Sequence, residues 1–328
     1  MAAFAATEAQ PQGAPTPASK STPSLLLIAN KSEDTVSFVD LESLQLLGKA
    51  HTGRGPHEVV VTPDGRLAFT ANYEGPGDSI SMIDVKHRKE MGRISLEAYR
   101  RPHGLGMSGD GRMLYVTCEA NEAIIEIEVA SKKIRRAFFT DQKITHMLTL
   151  TPDGRKLYAA NLLSGTVTAL DLAEGRVIAQ IPTGDGCEGL EISPDGKELW
   201  ATNREAGTLS IIEVEKDQGV DSLSCPGFPI RLKFTPDGRM ALVSCYLEGS
   251  IAIFDVAKRR EIKRLQPTGS SALRHPIGLL IEPNGRRAFL SNSGADEVVV
   301  IDLEGLSIMN RIPAGKEPDG LAIAPFTQ

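Results

Sequence analysis

Short apolar runs and polar turns alternate along almost the whole chain. In one representative stretch, residues 59–61 are all valine, Pro63-Asp64-Gly65 follows, and a second run over 67–71 ends at Asn72. Runs of this length, bounded by turn residues, are typical of β-strands. Asp-Gly between two such runs indicates a hairpin, because both residues accept positive φ angles. The stretch therefore predicts two antiparallel strands joined by a tight turn.

This hairpin recurs at a nearly fixed period. The equivalent turn dipeptides are Asp64-Gly65, Asp110-Gly111, Asp153-Gly154, Asp195-Gly196, Asp237-Gly238 and Asn284-Gly285. Successive turns are separated by roughly 42 to 47 residues, which is the length of one four-stranded propeller blade.

Each unit contains four predicted strands, named a to d from the centre of the propeller outwards. The predicted a strands are 58–62, 104–107, 147–151, 189–193, 231–235 and 278–281. The b strands are 67–72, 113–118, 156–161, 198–203, 240–245 and 287–292. The c strands are 80–84, 124–128, 167–171, 209–213, 251–255 and 298–302, and d strands include 90–95, 176–181 and 261–265.

The two ends of the chain are incomplete units. Residues 25–30, 36–40 and 44–48 are predicted as strands b, c and d, whereas 318–323 is a strand a with nothing after it. Pairing the ends completes a seventh blade and leaves no sheet edge open. We therefore expect an all-β fold, a seven-bladed β-propeller with four-stranded antiparallel blades. It forms one domain over 24–328, after a disordered leader over 1–23.

Composition narrows the functional classes. The net charge is −6 and no block of Lys or Arg occurs, which makes a nucleic-acid surface unlikely. The chain contains no apolar run of about 18 residues, so no membrane-spanning helix is predicted. The leader lacks the basic start and apolar core of a signal peptide. We expect a cytoplasmic protein, or a periplasmic or secreted one if a signal has been removed.

The four cysteines, Cys118, Cys187, Cys225 and Cys245, do not have the spacing of a zinc site. We expect reduced and partly buried thiols, and the sequence leaves a disulfide open.

The repeat itself resembles a known family. Residues 151–161 (TPDGRKLYAAN), 164–171 (SGTVTALD) and 181–184 (IPTG) resemble the YVTN-type, YncE-like β-propeller repeat. The resemblance covers about residues 24–325 and implies a seven-bladed propeller. Members of that family include surface-layer proteins and periplasmic binding propellers, so the resemblance implies no single function.

Two sets of polar residues recur in nearly every unit and are predicted to be structural. The acids that end strand c are Asp40, Asp84, Glu128, Asp171, Glu213, Asp255 and Asp302. The asparagines that end strand b are Asn30, Asn72, Asn161, Asn203 and Asn292, with Cys118 and Cys245 in the other two units. We expect both sets to hydrogen-bond to nearby turns.

One position, just before or at the start of strand a, departs from the repeat. We call it the ring position. Its residues are His57, His103, His146, Glu188, Ile230, Ile277 and Asp319. Three of the six histidines in the chain therefore occupy it in consecutive units. Because the a strands line the central channel and start at the same end of it, these side chains should meet at one mouth.

Three imidazoles and a carboxylate suit a divalent cation such as Zn²⁺, Fe²⁺ or Mn²⁺. The predicted metal ligands are His57, His103, His146 and Glu188. A metal with open positions polarises a carbonyl or activates water. Lactonase-type propellers hold a metal at this mouth with acids and amides, and oxygenase-type propellers hold iron with four histidines. The present chain resembles both in architecture and matches neither ligand set.

The b–c loops should surround the same mouth. They contribute Tyr73, Glu119, Arg204 and Tyr246, which with Glu188 are the predicted catalytic and pocket-shaping residues. The leading hypothesis is a metal-dependent hydrolase or lyase that acts on a small polar substrate. Lactone or ester hydrolysis, elimination and isomerisation all remain open, as does the oligomeric state.

Two alternatives compete with this hypothesis. His57 and His103 share a Pro-His context and would then be copies of one tolerated loop sequence. His146 and Glu188 count against that view, because neither follows a proline. The second alternative is a non-catalytic propeller that binds a ligand or protein with the same funnel.

Overall fold

The computed structural model describes residues 24–75 and 78–325, which form seven four-stranded antiparallel sheets. Blade 1 comprises β28 (Pro318–Pro325), β1 (Ser24–Asn30), β2 (Thr35–Asp40) and β3 (Leu46–His51). Blade 2 comprises β4 (Pro56–Val61), β5 (Leu67–Asn72), β6 (Ser79–Asp84) and β7 (Lys89–Ser95). Blade 3 comprises β8 (Pro102–Met107), β9 (Met113–Cys118), β10 (Ala123–Glu128) and β11 (Lys133–Phe139).

Blade 4 comprises β12 (Thr145–Leu150), β13 (Lys156–Asn161), β14 (Thr166–Asp171) and β15 (Arg176–Pro182). Blade 5 comprises β16 (Cys187–Ile192), β17 (Glu198–Asn203), β18 (Thr208–Glu213) and β19 (Gln218–Ser224). Blade 6 comprises β20 (Pro229–Phe234), β21 (Met240–Cys245), β22 (Ser250–Asp255) and β23 (Arg260–Leu265). Blade 7 comprises β24 (Pro276–Ile281), β25 (Arg287–Asn292), β26 (Glu297–Asp302) and β27 (Ser307–Pro313). Short 3-10 turns cover Lys31–Glu33, Glu119–Asn121, Gly269–Ser271 and Ser293–Ala295.

The predicted closure of the ring is confirmed. The C-terminal strand β28 pairs antiparallel with β1, with Leu25 opposite Ala324 and Leu27 opposite Ala322. The two ends of the chain therefore share blade 1, and the all-β, seven-bladed architecture agrees with the sequence prediction. The predicted leader over 1–23 lies outside the described residues.

The hydrophobic core lies between the blades rather than at the centre. One buried cluster joins Phe69 and Met82 of blade 2 to Leu105 and Val116 of blade 3. The same arrangement recurs around the ring, for example where fully buried Trp200 of blade 5 meets Phe234 of blade 6 at 5.4 Å between ring centroids. Burying one such side chain contributes roughly 1.5–3 kcal/mol. Inner-strand residues such as Val59, Leu105 and Leu232 belong to these clusters, so each inner strand packs against a neighbouring blade.

The recurrent polar residues have structural roles, as predicted. The Asp84 carboxylate accepts a hydrogen bond of 2.8 Å from the His87 backbone N–H in the c–d turn. Asn72 is fully buried, and its amide donates to the hydroxyls of Ser79 and Ser81 on the next strand at 2.9 and 3.0 Å. The asparagine therefore ties strand b to strand c, in addition to marking the turn.

The four cysteines are free in the structure and are buried, more fully than predicted. Cys225 Sγ and Cys245 Sγ lie 4.0 Å apart, well beyond bonding distance.

The inner strands differ from the prediction at their ends, and four of the first six end one residue earlier than expected. Each of the first six begins two residues earlier than expected, as with Pro56 in place of Glu58. The predicted b strands, in contrast, agree with β5, β9, β13, β17, β21 and β25 residue for residue. The difference arises from a β-bulge near the start of every inner strand, where pairing passes from Pro56 directly to Val59. The ring position is thus the second residue of each inner strand and lies inside a bulge.

Candidate active site

The bulge presents the ring position to the mouth of the channel. Four of the seven residues that follow the ring position are glycine, namely Gly104, Gly189, Gly278 and Gly320. A Cβ on Gly189 would lie 2.2 Å from the carbonyl oxygen of Ile230 in the next blade, so neighbouring inner strands approach too closely for a side chain there. Bulges commonly redirect side chains beside functional sites.

Hydroxyl groups on strand b fix the bulges to one another. Thr117 Oγ1 accepts a hydrogen bond from Gly104 N at 2.7 Å and donates to the carbonyl oxygen of His146 at 2.6 Å. Thr202 and Ser244 make the equivalent pair of contacts in blades 5 and 6. The backbone that carries the ring position is therefore held from both sides.

The three histidines at the ring position come together as predicted. The ring centroids of His103 and His146 lie 3.8 Å apart, and those of His57 and His103 lie 5.0 Å apart. Tyr73 extends the cluster, with its ring centroid 4.5 Å from that of His57. His103 and His146 are buried, whereas His57 is half-buried and is the member nearest to solvent.

His146 lies between two carboxylates. Its Nδ1 is 2.5 Å from Glu119 Oε1, and its Nε2 is 3.5 Å from Glu188 Oε1. Burial acts to lower the pKa of His146, but the hydrogen bonds with Glu119 and Glu188 outweigh burial and raise that pKa above its ordinary value. In this arrangement His146 Nδ1 contacts one carboxylate and Nε2 faces the other, and both carboxylates favour a protonated ring.

Glu119 connects the histidines to the rim of the mouth. Its Oε2 accepts a hydrogen bond of 2.7 Å from the Tyr73 hydroxyl and lies 3.3 Å from Arg101 Nη2. The Arg101 guanidinium also stacks over the Tyr73 ring at 4.7 Å. Glu119 is the first residue of a 3-10 turn after β9, and it is buried. Tyr73 and Glu119 were both predicted at this mouth, and both lie there.

Glu188 is the centre of a second set of ion pairs. Arg204 Nη1 donates to Glu188 Oε2 at 2.8 Å, and Arg231 Nη1 donates to Glu188 Oε1 at 3.0 Å. Burial acts to raise the pKa of Glu188, but His146 and the two arginines outweigh burial and lower that pKa to about 2. Both oxygens of this carboxylate are therefore occupied by cationic neighbours.

Two residues of the site were missed by sequence reasoning. Arg231 Nη2 donates to Glu58 Oε1 at 3.0 Å, and this bond crosses the channel from blade 6 to blade 2. Burial raises the pKa of Glu58 despite the opposing effect of Arg231. A signal was present in the sequence, because the residue after the ring position is glycine in four inner strands and charged in these two.

His57 and His103 are neutral imidazoles. Burial, followed by the charge of His146, lowers the pKa of His103 well below its ordinary value. Burial also lowers the pKa of His57, more than Asp319 raises it. His57 Nδ1 lies 2.8 Å from the carbonyl oxygen of Gly55 and must donate to it. The proton is therefore on Nδ1, and His57 Nε2 keeps its lone pair.

Unpartnered polar atoms are concentrated at this mouth. In the described ranges, the buried side-chain atoms without a hydrogen-bond partner are His103 Nδ1, Asn203 Oδ1, Arg231 Nε and Asp319 Oδ1. Three of the four belong to the inner strands at or beside the ring position. Such atoms are rare in folded proteins, so their grouping indicates a place for a ligand, an ion or water.

Three residues at the mouth could hold a metal ion, and they differ in part from the predicted ligand set. His103, Glu119 and His146 each offer one ligand atom, and these atoms lie within 4.8 Å of one another. The unpartnered Nδ1 of His103 fits this use. Of the other predicted ligands, His57 uses one ring nitrogen on Gly55, and Glu188 is bound to two arginines.

Tyr246 and Arg204 lie on the opposite side of the rim. The Tyr246 ring stacks on His275 with centroids 4.5 Å apart and planes 13° apart. Phe228 lies 6.1 Å from Tyr246, and the Arg204 guanidinium lies 5.2 Å above the Phe228 ring. Tyr246 thus reaches the mouth, but its ring contacts are with this aromatic group and not with the histidines.

Comparison with solved structures shows the same fold in proteins of several kinds. The periplasmic gluconolactonase PpgL of Pseudomonas aeruginosa is 20% identical, with a TM-score of 0.76 over 92% of this chain and 99% of that one. A Bacteroides uniformis protein named provisionally as a 6-phosphogluconolactonase is 14% identical, with a TM-score of 0.79 over 92% of this chain and 100% of that one. Hydrazine synthase of Kuenenia stuttgartiensis is 20% identical, with a TM-score of 0.70 over 81% of this chain and 88% of that one. At these identities the likeness concerns the fold alone.

No curated protein matches the sequence. Among the described residues, no helix has the length and apolar character needed to cross a membrane.

The profile of the family described as "Lactonase, 7-bladed beta-propeller" matches residues 51–224, slightly more than half of the chain. The finer resemblance to YVTN-type repeats stays a prediction. The chain belongs to the seven-bladed β-propeller lactonase family.

Proposed function

We propose that the protein is a hydrolase that opens the ring of a small polar lactone at the mouth lined by His57, His103 and His146. Family membership supports this reaction class, and similarity in fold to a periplasmic gluconolactonase agrees with it. The cytoplasmic and periplasmic alternatives for the location both remain predictions. The observation that carries the proposal is the His103–Glu119–His146 group beside the neutral, half-buried imidazole of His57.

A divalent cation fits the group formed by His103, Glu119 and His146. Two imidazoles and one carboxylate suit Zn²⁺, Fe²⁺ or Mn²⁺. When bound, such an ion would supply Lewis-acid polarisation of the lactone carbonyl. A ring nitrogen of His146 would have to be free of a proton to bind the ion, and both nitrogens face carboxylates, Glu119 at 2.5 Å from Nδ1 and Glu188 at 3.5 Å from Nε2.

His57 has the properties of a general base. Its Nδ1–H is held by Gly55, its Nε2 lone pair is free, and burial keeps the ring neutral. As water attacks the lactone carbonyl carbon, His57 Nε2 accepts one water proton. The ring C–O bond then breaks, and the same proton passes to the alkoxide. Lactone and water thus yield one hydroxy acid, without any oxidant or reductant.

Cationic groups at the rim stabilise the developing oxyanion. Arg101 and Arg204 are the candidates, since each is fixed by a buried carboxylate on one side and reaches the mouth on the other. Donors that are fixed in advance stabilise a transition state without reorganisation. Glu188 therefore positions Arg204 and His146, and Tyr73 orients Glu119.

A panel of substrates tests the proposal. The protein would be assayed with glucono-δ-lactone, an unsubstituted aliphatic lactone and a short open-chain ester, by following acid release. We expect lactone opening, and a loss of about 100-fold in kcat for His57→Gln. His87→Gln is the matched control, because His87 bonds to Asp84 in an exposed turn far from the mouth. Absence of lactone opening by the wild type would reject the reaction class.

A non-catalytic binding role is the second candidate. It is favoured by a continuous series of charged groups in which each is paired with an oppositely charged neighbour. The series comprises Glu119, His146, Glu188, Arg231 and Glu58. In that case the buried series is structural and ligands contact only the rim. This role predicts ligand binding that survives His103→Ala, with no turnover by the wild type.

A further inference from the structure

The residue two positions before the ring position has a left-handed backbone in all seven blades. These residues are Gly55, Arg101, Ile144, Gly186, Phe228, His275 and Glu317, with φ between +50° and +76°. Glycine adopts this conformation readily, whereas side chains with a Cβ disfavour it. Five blades nevertheless carry a side chain there.

The two glycines have a steric cause. A Cβ on Gly55 would lie 2.8 Å from Glu74 Cγ, and a Cβ on Gly186 would lie 2.8 Å from Arg204 Cγ. Phe228 and His275 have the same left-handed backbone but carry large side chains, and the backbone alone does not require these residue types. Non-glycine residues held in sparsely populated conformations occur preferentially at ligand sites, so a role at the mouth is the natural explanation for these side chains.

Three of the left-handed residues, Arg101, Phe228 and His275, belong to two opposed walls of the mouth. The first wall is Arg101 stacked on Tyr73, which belongs to the histidine cluster. The second wall is Phe228, Tyr246 and His275, which we call the aromatic wall. Since the Glu58–Arg231 ion pair joins blades 2 and 6 across the channel, the two walls face each other over the mouth.

The aromatic wall is accessible and has a polar neighbour. Phe228 and Tyr246 are half-buried, and His275 is exposed. Arg204 stacks on Phe228 while its guanidinium holds Glu188. An apolar, flat surface beside one fixed cation is the arrangement that orients a small ring with a polar substituent.

We propose that the aromatic wall is a stacking subsite, which packs against the flat face of a six-membered ring while Arg204 contacts the ring's oxygen substituents. This deepens the proposed lactonase function and rests on it for the identity of the ring. The subsite determines affinity for cyclic substrates and takes no part in proton transfer. Its loss should therefore change KM and leave kcat unaltered.

Variants of Tyr246 separate stacking from hydroxyl chemistry. With glucono-δ-lactone, Tyr246→Ala should raise KM about tenfold, the upper range for one aromatic contact, with kcat within about twofold. Tyr246→Phe should stay near wild type, because stacking needs no hydroxyl. With a short open-chain ester, Tyr246→Ala should have no effect on KM. Leu247→Ala is the control, since Leu247 is the neighbouring exposed residue at 68% exposure.

The His275→Gly variant separates a role of His275 in binding, measured by KM, from a role in the fold, measured by Tm. Because His275 has φ +51°, glycine should leave Tm unchanged or higher while KM for the lactone rises. The subsite is overturned if Tyr246→Phe is as damaging as Tyr246→Ala, if KM for the ester rises equally, or if the KM effect follows a fall in Tm.

Binding of a ring that cannot be hydrolysed tests the subsite apart from the reaction. Saturation-transfer NMR with 1,5-anhydroglucitol should show ring protons in contact with the wild type and a weakened signal with Tyr246→Ala. That result upholds the subsite even if the wild type opens no lactone, which would reject only the proposed reaction. Equal signals from wild type and Tyr246→Ala overturn the subsite even if lactones are opened.

Discussion

The mouth of the channel has two halves built from equivalent strands. In blades 2 to 4 the ring position holds His57, His103 and His146, whereas in blades 6 and 7 it holds Ile230 and Ile277. The bulges are the same in both halves, with pairing that skips from Pro56 to Val59 and likewise from residue 229 to 232. The backbone is therefore common to both halves, and the chemistry depends on the side chains at a few positions.

The largest expected effect concerns Glu188, which joins the two halves by bonding to His146, Arg204 and Arg231. Glu188→Leu leaves Arg231 buried with one carboxylate fewer, and we expect a loss of about 3–5 kcal/mol in the free energy of unfolding. Urea denaturation measures this loss. Glu205→Ala is the matched control, because exposed Glu205 also bonds Arg204 and should change stability by at most ~0.5 kcal/mol.

A smaller effect is expected at the proposed metal group of the histidine half, which consists of His103, Glu119 and His146. In protein purified without a histidine tag, elemental analysis should find about one divalent ion per chain, and His103→Ala should remove it with at least a tenfold loss of rate. Ile277→Ala truncates the equivalent position in the other half and should retain the ion. Wild-type protein free of metal, together with full activity of His103→Ala, would rule out the metal centre.

The smallest expected effect concerns the shared backbone. Thr202 Oγ1 accepts from Gly189 N and donates to the carbonyl oxygen of Ile230, both at 2.8 Å. Thr202→Val removes both bonds in a buried place, and we expect a loss of about 1–3 kcal/mol. Thr208→Val is the milder comparison, because the half-buried Thr208 hydroxyl accepts one bond, from Asn203 Nδ2 at 2.9 Å, within the same blade. Equal losses in the two variants would show that the hydroxyl ties between blades contribute little.

The fold was predictable because its signals are local. Asp-Gly turns fix the hairpins, and strand b follows each turn directly, so Leu67–Asn72 agreed with the prediction. The start of strand a was displaced because a bulge removes the alternation of apolar and polar residues on which strand prediction depends. Proline at position 56 also masked the pairing with Asn72.

The site was only partly predictable, because contacts across the channel have no local signal. His103 and His146 were found by comparing blades, and Glu119 was placed nearby as a pocket residue. Arg231 was overlooked since the comparison used one position per blade, and its partner Glu58 lies 173 residues away in sequence. The stack of Phe228, Tyr246 and His275 combines three loops, and comparing only the ring position between blades did not include Phe228 or His275.

The central claim is that the histidine half carries the chemistry, and His57→Ile tests it most directly. This substitution gives blade 2 the residue that blade 6 has at Ile230, on the same bulged backbone. The measurement is the rate of lactone opening by folded protein with an unchanged Tm. The account predicts a loss of about 100-fold relative to wild type, and an unchanged rate would contradict it.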